Sequence, residues 1–242
     1  MVELEESGVI LLTAIFQLNY SNYKIVYYHC SMTNFIPIFP LDIVVFPGEI
    51  LNLHIFEEQY VQLVKDCHEL NNTFGIPTFL KDTKSEMGCL VQIDQIAKTY
   101  DTGEMDIRTR GLKVFRLLEL INEIPNKLYK GAIVTYPSNS IFPQPLILPK
   151  LMEQVRELHR LLNVTKKFGR PDEELISYDI AHHVGFSIEE EIEFLILSNE
   201  PHRLQYISNH LQKIIPIVAG TEKLKEKIQL NGHFKELKGF NL

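Results

Sequence analysis

Cysteine is scarce in this 242-residue chain: there are three, Cys30, Cys67 and Cys89, with no C-x-x-C pair and no histidine at ligand spacing. An odd, scattered set excludes a disulfide framework and offers no zinc site. Small buried thiols of a reducing compartment are the simplest reading of Cys67 and Cys89. Long hydrophobic runs are also missing. Val9 to Phe16 is interrupted by Thr13 and falls short of the ~18 apolar residues that cross a bilayer. The leader carries Glu3, Glu5 and Glu6 where a secretory signal needs basic residues. Together these features point to a cytoplasmic protein with no membrane partner. Basic charge is in deficit, 24 Lys+Arg against 31 Asp+Glu for a net charge of −7, and neither half of the chain is basic. That makes nucleic acid an unexpected main partner, because phosphate binding relies on clustered Lys and Arg. The string G-x-x-x-x-G-K-[ST], whose amides cradle nucleotide phosphates, does not occur. No residues suggest a cofactor.

What is present is core material. Hydrophobic residues make up 45% of the chain, and a chain of this length buries about 70% of the surface its unfolded form exposes. At roughly 150 residues per domain, one large domain or two small ones are open. Residues 1–31 stand apart as an N-terminal extension: VILLTAIF and YKIVYYHC are apolar without a clear period. They form either an extra hairpin or residues upstream of a natural start at Met32.

Residues 32–136 read as a β domain with one helix. Phe35 to Phe39 is a short strand stopped by Pro40, and Ile50 to Ile55 alternates apolar and polar at period two. Phe56, Tyr60, Leu63, Val64, Cys67 and Leu70 recur at helical spacing as a core stripe, with Glu57 and Glu58 in the first turn. Phe74 to Leu80 follows as an edge strand marked by Pro77, then Gly88 to Thr99, an Asp101-Thr102-Gly103 turn and Glu104 to Arg110 as a hairpin. Val114 to Ile121 and Tyr129 to Tyr136 bring the total to about seven strands, which suits a small barrel or two strongly bent sheets. The Pro-rich stretch 137–149 is the expected linker. Residues 150–242 then take helical periodicity. Leu148 to Leu162 is one stripe, and Pro171 opens a helix ending before Gly185. Ser187 and Glu190 form a capping box, and Pro201 opens a helix that runs to Pro216. The fold class is α+β: a bent-sheet or barrel domain with one helix, followed by a helical bundle.

At Ile36-Pro37-Ile38-Phe39-Pro40-Leu41 and Val44-Val45-Phe46-Pro47-Gly48-Glu49 the chain resembles the substrate-binding domain at the N-terminus of Lon proteases. LHIFEEQY at Leu53 to Tyr60, Gly88 to Ile96, Thr102-Gly103 and Arg110-Gly111 extend the likeness. Weaker similarity in Leu175 to Ala181, Ser187 to Leu197 and Arg203 to Leu211 matches the helical segment of stand-alone members. The resemblance implies a PUA-like β-barrel, with Pro40, Leu41, Pro47, Gly48, Phe56 and Gly111 as structural motif positions. It also implies a non-catalytic module that binds unfolded or partner polypeptide, since the family's ATPase and Ser-Lys protease modules are not in this sequence.

Pro40 and Pro47 fix φ on either side of the loop and Gly48 permits a tight turn, so a partly apolar loop is presented in one shape. Ile43, Val45 and Phe46 either contact a bound peptide or close one end of the barrel. Three other groupings carry weaker signals. Asp179 and His183 share a helix face beside His182, too few ligands for a metal. Glu189, Glu190, Glu191 and Glu193 read as a solvated helix start. Lys98, Arg108, Arg110, Lys113 and Arg116 motivate an alternative, an RNA-binding module, but Asp94, Asp101, Glu104 and Asp106 are interleaved as cross-strand partners.

Overall fold

The period-two segments fold as strands and the helix-period segments as helices. The computed structural model describes residues 34–78 and 86–237. The extension at 1–31, the start at Met32 and the end of the strand expected to reach Leu80 lie outside the described residues. The order along the chain is β1 (Asn34–Pro37), β2 (Ile50–Ile55), α1 (Glu58–Glu69), β3 (Phe74–Pro77), β4 (Met87–Thr99), β5 (Met105–Ile121) and β6 (Gly131–Thr135). The strands make one six-stranded antiparallel sheet, β1-β6-β5-β4-β3, with β2 paired to β5 off that path. Isolated parallel bridges join Ile38 to Gly75 and Leu41 to Thr78, and the Phe39 N–H donates to the Gly75 carbonyl at 2.8 Å. These links draw the outer strands towards each other and bend the sheet.

Among the described residues six strands form where seven were expected, because Gly111 does not end a strand. β5 runs unbroken for 17 residues, pairing with β2 through Arg110 and with β6 from Arg116 onward. Gly111 sits at the change of partner, where a Cβ would run into the Phe46 carbonyl. The expected hairpin turn is present: Gly103 has φ +89, a conformation that favours glycine. In α1 the core face is Leu63, Val64 and Cys67. Phe56 is 65% and Leu70 69% exposed, so the stripe is shorter than its spacing suggests. Glu57 is still extended at ψ 132, and Phe56 therefore lies in the connection and not on the helix. Burial pushes the Cys67 thiol up to about 12 and raises that of Cys89 further.

Four helices follow: α2 (Leu148–Leu161), α3 (Ser177–Ile180), α4 (Ile188–Ile196) and α5 (Glu200–Leu237). The helix expected from Pro171 breaks into a 3-10 turn at Asp172–Glu174, the short α3 and a second 3-10 turn at Ala181–His183. The capping box holds, with the Glu190 N–H donating to Ser187 Oγ at 3.3 Å and the Ser187 N–H to Glu190 Oε2 at 2.9 Å. Pro216 does not stop the last helix, which extends for 38 residues. Proline removes one backbone donor there, and its position is exposed, so water can solvate the carbonyl left unpaired.

The core ignores the Pro-rich stretch. Val44, Phe46, Met87 and Val114 from the sheet side pack into one cluster with Met152, Val155, Tyr178, Phe194 and Leu204 from the helices. Residues 137–147 are tied down as well. The Ser140 N–H donates to the Ser198 carbonyl at 2.9 Å, and Asn139 accepts from Arg203 Nη1 at 2.8 Å. Arg203 is fully buried and paired with the equally buried Glu200 at 2.8 Å. Ser177 completes this network by donating both its N–H and its hydroxyl to Glu200.

Candidate functional site

The candidate site grows from a turn. Phe46-Pro47-Gly48-Glu49 closes with the Glu49 N–H donating to the Phe46 carbonyl at 3.1 Å, and Gly48 adopts φ +87. Proline then glycine at the two central positions is what a type II turn requires. Nothing lies within 4 Å of a Cβ built on Gly48, so glycine is needed there for its backbone angle and not for space. The Gly48 N–H donates to the Gly111 carbonyl and the Gly111 N–H to the Glu49 carbonyl, both at 2.8 Å, which anchors the turn to β5.

Helical residues clamp the turn from the other side. The Phe46 ring stacks on Tyr178 with centroids 5.4 Å apart and meets Phe194 edge-on at 5.5 Å. The His182 ring lies against it at 4.6 Å. His182 also bridges two carboxylates, Nε2 to Glu49 Oε2 at 3.1 Å and Nδ1 to Glu191 Oε1 at 2.7 Å. Each ring nitrogen must donate to make both bonds, which is the protonated form. Burial opposes that charge, but the hydrogen bonds to Glu191 and Glu49 and their negative charges outweigh it, raising the His182 pKa to about 9. His183 goes the other way, down to about 4, through burial and the nearby charge of Lys166. Asp179 faces neither histidine as a ligand. It pairs with Arg170 at 2.5 Å and accepts the Ile176 N–H at 2.8 Å.

Between clamp and turn lies a cleft of about 510 Å³, lined by Ile43, Pro47, Glu49, Ile50, Lys166, Tyr178 and His182 among others. Ile43 and Ile50, 40% and 43% exposed, form its apolar rim. Of the three residues considered for peptide contact, only Ile43 reaches the surface. Val45 is 1% and Phe46 0% exposed; Phe46 cannot act as an exposed anchor because the helices, whose packing on the loop has no local signature, cover its ring. Pro47 is buried, Pro40 exposed and Leu41 half-buried. Sequence reasoning missed Glu49, Ile50 and Tyr178. It considered His182 only with its chain neighbours, whereas Glu49 lies 133 residues away.

Most members of the other groupings have local partners, while Arg108 and Arg116 are exposed. Arg110 donates through Nε and Nη2 to Asp94 Oδ2, Lys98 lies over the Tyr100 ring and Lys113 over Tyr136. The acidic start of α4 is less free than a solvated face: Glu190, Glu191 and Glu193 contact His210, His182 and Tyr206. Among the described residues no group of His, Cys, Asp or Glu could hold a metal ion, and no helix is long and apolar enough to cross a membrane.

The model of the ATP-dependent protease La (LON) substrate-binding domain matches residues 36–213, spanning both the sheet and the helices that clamp the turn. The chain belongs to this family. Its fold is that of Lon N-terminal domains. A Lon N-terminal domain protein from Xanthomonas campestris superposes with a TM-score of 0.56 at 22% identity, covering 73% of this chain and 98% of that one. The N-terminal domain of a Mycobacterium avium complex Lon protease gives 0.53 at 13% identity, covering 74% and 99%. No curated protein sequence matches. Membership in the Lon substrate-binding family makes the chain a substrate-recognition module.

Proposed function

We propose that the chain is a non-catalytic module that binds unfolded or partner polypeptide, and that the cleft beside the Pro47-Gly48 turn receives an apolar side chain of it. The observation that carries this reading is the pairing of a preformed floor with an exposed apolar rim, Ile43 and Ile50, in a substrate-binding family. A site already held in shape loses little entropy on binding. Both nitrogens of His182 are engaged by carboxylates, so this ring offers no free base. The RNA alternative has less support: Arg110 is paired with Asp94 and Lys98 and Lys113 lie over Tyr100 and Tyr136, which leaves Arg108 and Arg116 as the exposed cations of that cluster.

The test is fluorescence anisotropy with labelled casein as an unfolded client. Ile43→Asp and Ile50→Asp should each weaken binding about ten-fold or more without changing the melting temperature. Unchanged affinity in both would remove the cleft from the reading. Failure of the wild-type chain to bind casein, together with steeply salt-dependent binding of RNA, would replace the reading altogether.

A further inference from the structure

The cleft opens onto a strand edge. Ile50 lines the cleft and also begins β2, which among the described residues pairs with β5 alone. The ladder fixes what the free edge offers. The Gly111 N–H donates to the Glu49 carbonyl, and in an antiparallel ladder bonded pairs alternate. Leu51–Thr109 and Leu53–Ile107 are therefore bonded pairs. The N–H and C=O groups of Ile50, Asn52 and His54 consequently point away from β5. Edges of this kind are normally blunted by lysine, proline or a bulge, yet the strand reads ILNLHI and has none of these.

The charge around this edge is acidic at its C-terminal end. No Lys or Arg occurs from residue 41 to 64, and Asp42, Glu57 and Glu58 are exposed in the segments that enter and leave β2. His54, within the strand, is held by Asp106 at 2.7 Å and lies 3.6 Å from Glu104. Arg110 sits opposite Ile50 and Arg108 opposite Asn52 across the ladder, and Lys166 lines the cleft at Ile50, so the attraction for cations is at the His54–Ile55 end. Leu51 and Leu53 are half-buried against the sheet core, leaving an apolar row that a neighbouring strand could extend.

We propose that β2 is the docking edge for an extended segment of the bound polypeptide, apolar at alternate positions and basic at the end that lies beside His54 and Ile55, which adds to the sheet as a strand along Ile50–Ile55. This rests on the polypeptide-binding reading above and names the form its ligand takes. Main-chain bonds to residues 50, 52 and 54 would hold the segment, while alternate side chains join the Leu51 and Leu53 row.

The probe is the peptide Lys-Lys-Val-Thr-Val-Thr-Val-Lys, with a counterpart carrying Glu in place of each Lys. In the free protein, amide exchange at Ile50, Asn52 and His54 should be fast and at Leu51 and Leu53 slow; the lysine peptide should slow the first set. Its affinity should exceed that of the Glu peptide about ten-fold or more. N-methylating successive peptide amides should lower affinity about five-fold at every second position and little between, as expected for loss of about one hydrogen bond. Asn52→Pro, which removes an outward N–H and leaves the β5 ladder intact, should abolish the difference between the peptides. If Asn52→Pro unfolds the chain, the N-methyl series on the wild-type protein decides alone. Slow exchange at Ile50, Asn52 and His54 without peptide would mean the edge is already paired and would overturn the proposal. A wild-type dimer that Asn52→Pro turns into a monomer would do so too, by making a second copy the occupant. Casein binding that survives Asn52→Pro but not Ile43→Asp removes the strand and leaves the cleft; no casein binding by the wild type removes the polypeptide reading itself.

Discussion

Two side chains set the behaviour of the motif loop, one by its absence. At Gly111 a Cβ would press on the Phe46 carbonyl and approach the Cys89 sulfur, and neither the turn nor β5 can retreat without losing the bonds between Gly48, Glu49 and Gly111. Gly111→Ala should therefore destabilise the fold by about 1–3 kcal/mol, the usual range for overpacking, as read from urea unfolding. Phe46 sits directly above that contact. Truncating it to alanine should cost about 3–5 kcal/mol of stability, while the fraction that remains folded binds casein as before. The residue that looks like an anchor from its proline-clamped position is thus a core residue.

Between elements, the His182 bridge joins the β2 entry turn to α4. Its folded pKa, raised from 6.5 to about 9, lies above the unfolded value, so its contribution is complete below pH 6.5 and is lost as the pH rises through 9. The lowered pKa of His183 acts in a separate window: its effect is a loss of stability as the pH falls from 6.5 towards 4. Stability measured by denaturant between pH 6.5 and 9 should fall in the wild type, and His182→Gln should flatten that slope. Retention of the slope in the variant would place the titrating group elsewhere. Elements with strong local signals were legible from the sequence: β2 by its alternation, the turn at Gly103, the capping box at Ser187. The long β5 and the continuation of α5 past Pro216 were not, because Gly111 and Pro216 carry the local marks of a stop and only tertiary pairing or exposure overrides them. The cleft was half legible. The Pro47-Gly48 turn announced itself, but its partner His182 is brought there by packing across the whole chain.

For the molecule as a whole, one of three core clusters is shared by the sheet and the C-terminal helices, and the Arg203 network fastens the Pro-rich segment across it. Both Arg203 and Glu200 are fully buried. Replacing Arg203 with methionine would leave the Glu200 charge in the interior without its cation. Such a break typically costs about 3–5 kcal/mol. We expect Arg203→Met to lower stability by that order and to make residues 137–147 a site of limited proteolysis, with the first cuts mapped by mass spectrometry. If the segment stays resistant, the Ser140 to Ser198 bond and packing hold it without the arginine.

The distance along the chain between Glu49 and His182 also has a kinetic meaning. A bridge joining residues 133 positions apart closes a very large loop. The entropy of that closure favours forming it late, after the sheet and the first helices are in place. Weakening such a late contact leaves the rate of folding almost unchanged and appears in the rate of unfolding. The bridge then acts as a brake on opening: with His182 deprotonated, the turn and α4 should part sooner and more often, and the lifetime of the native state should shorten without any change in how quickly it is reached.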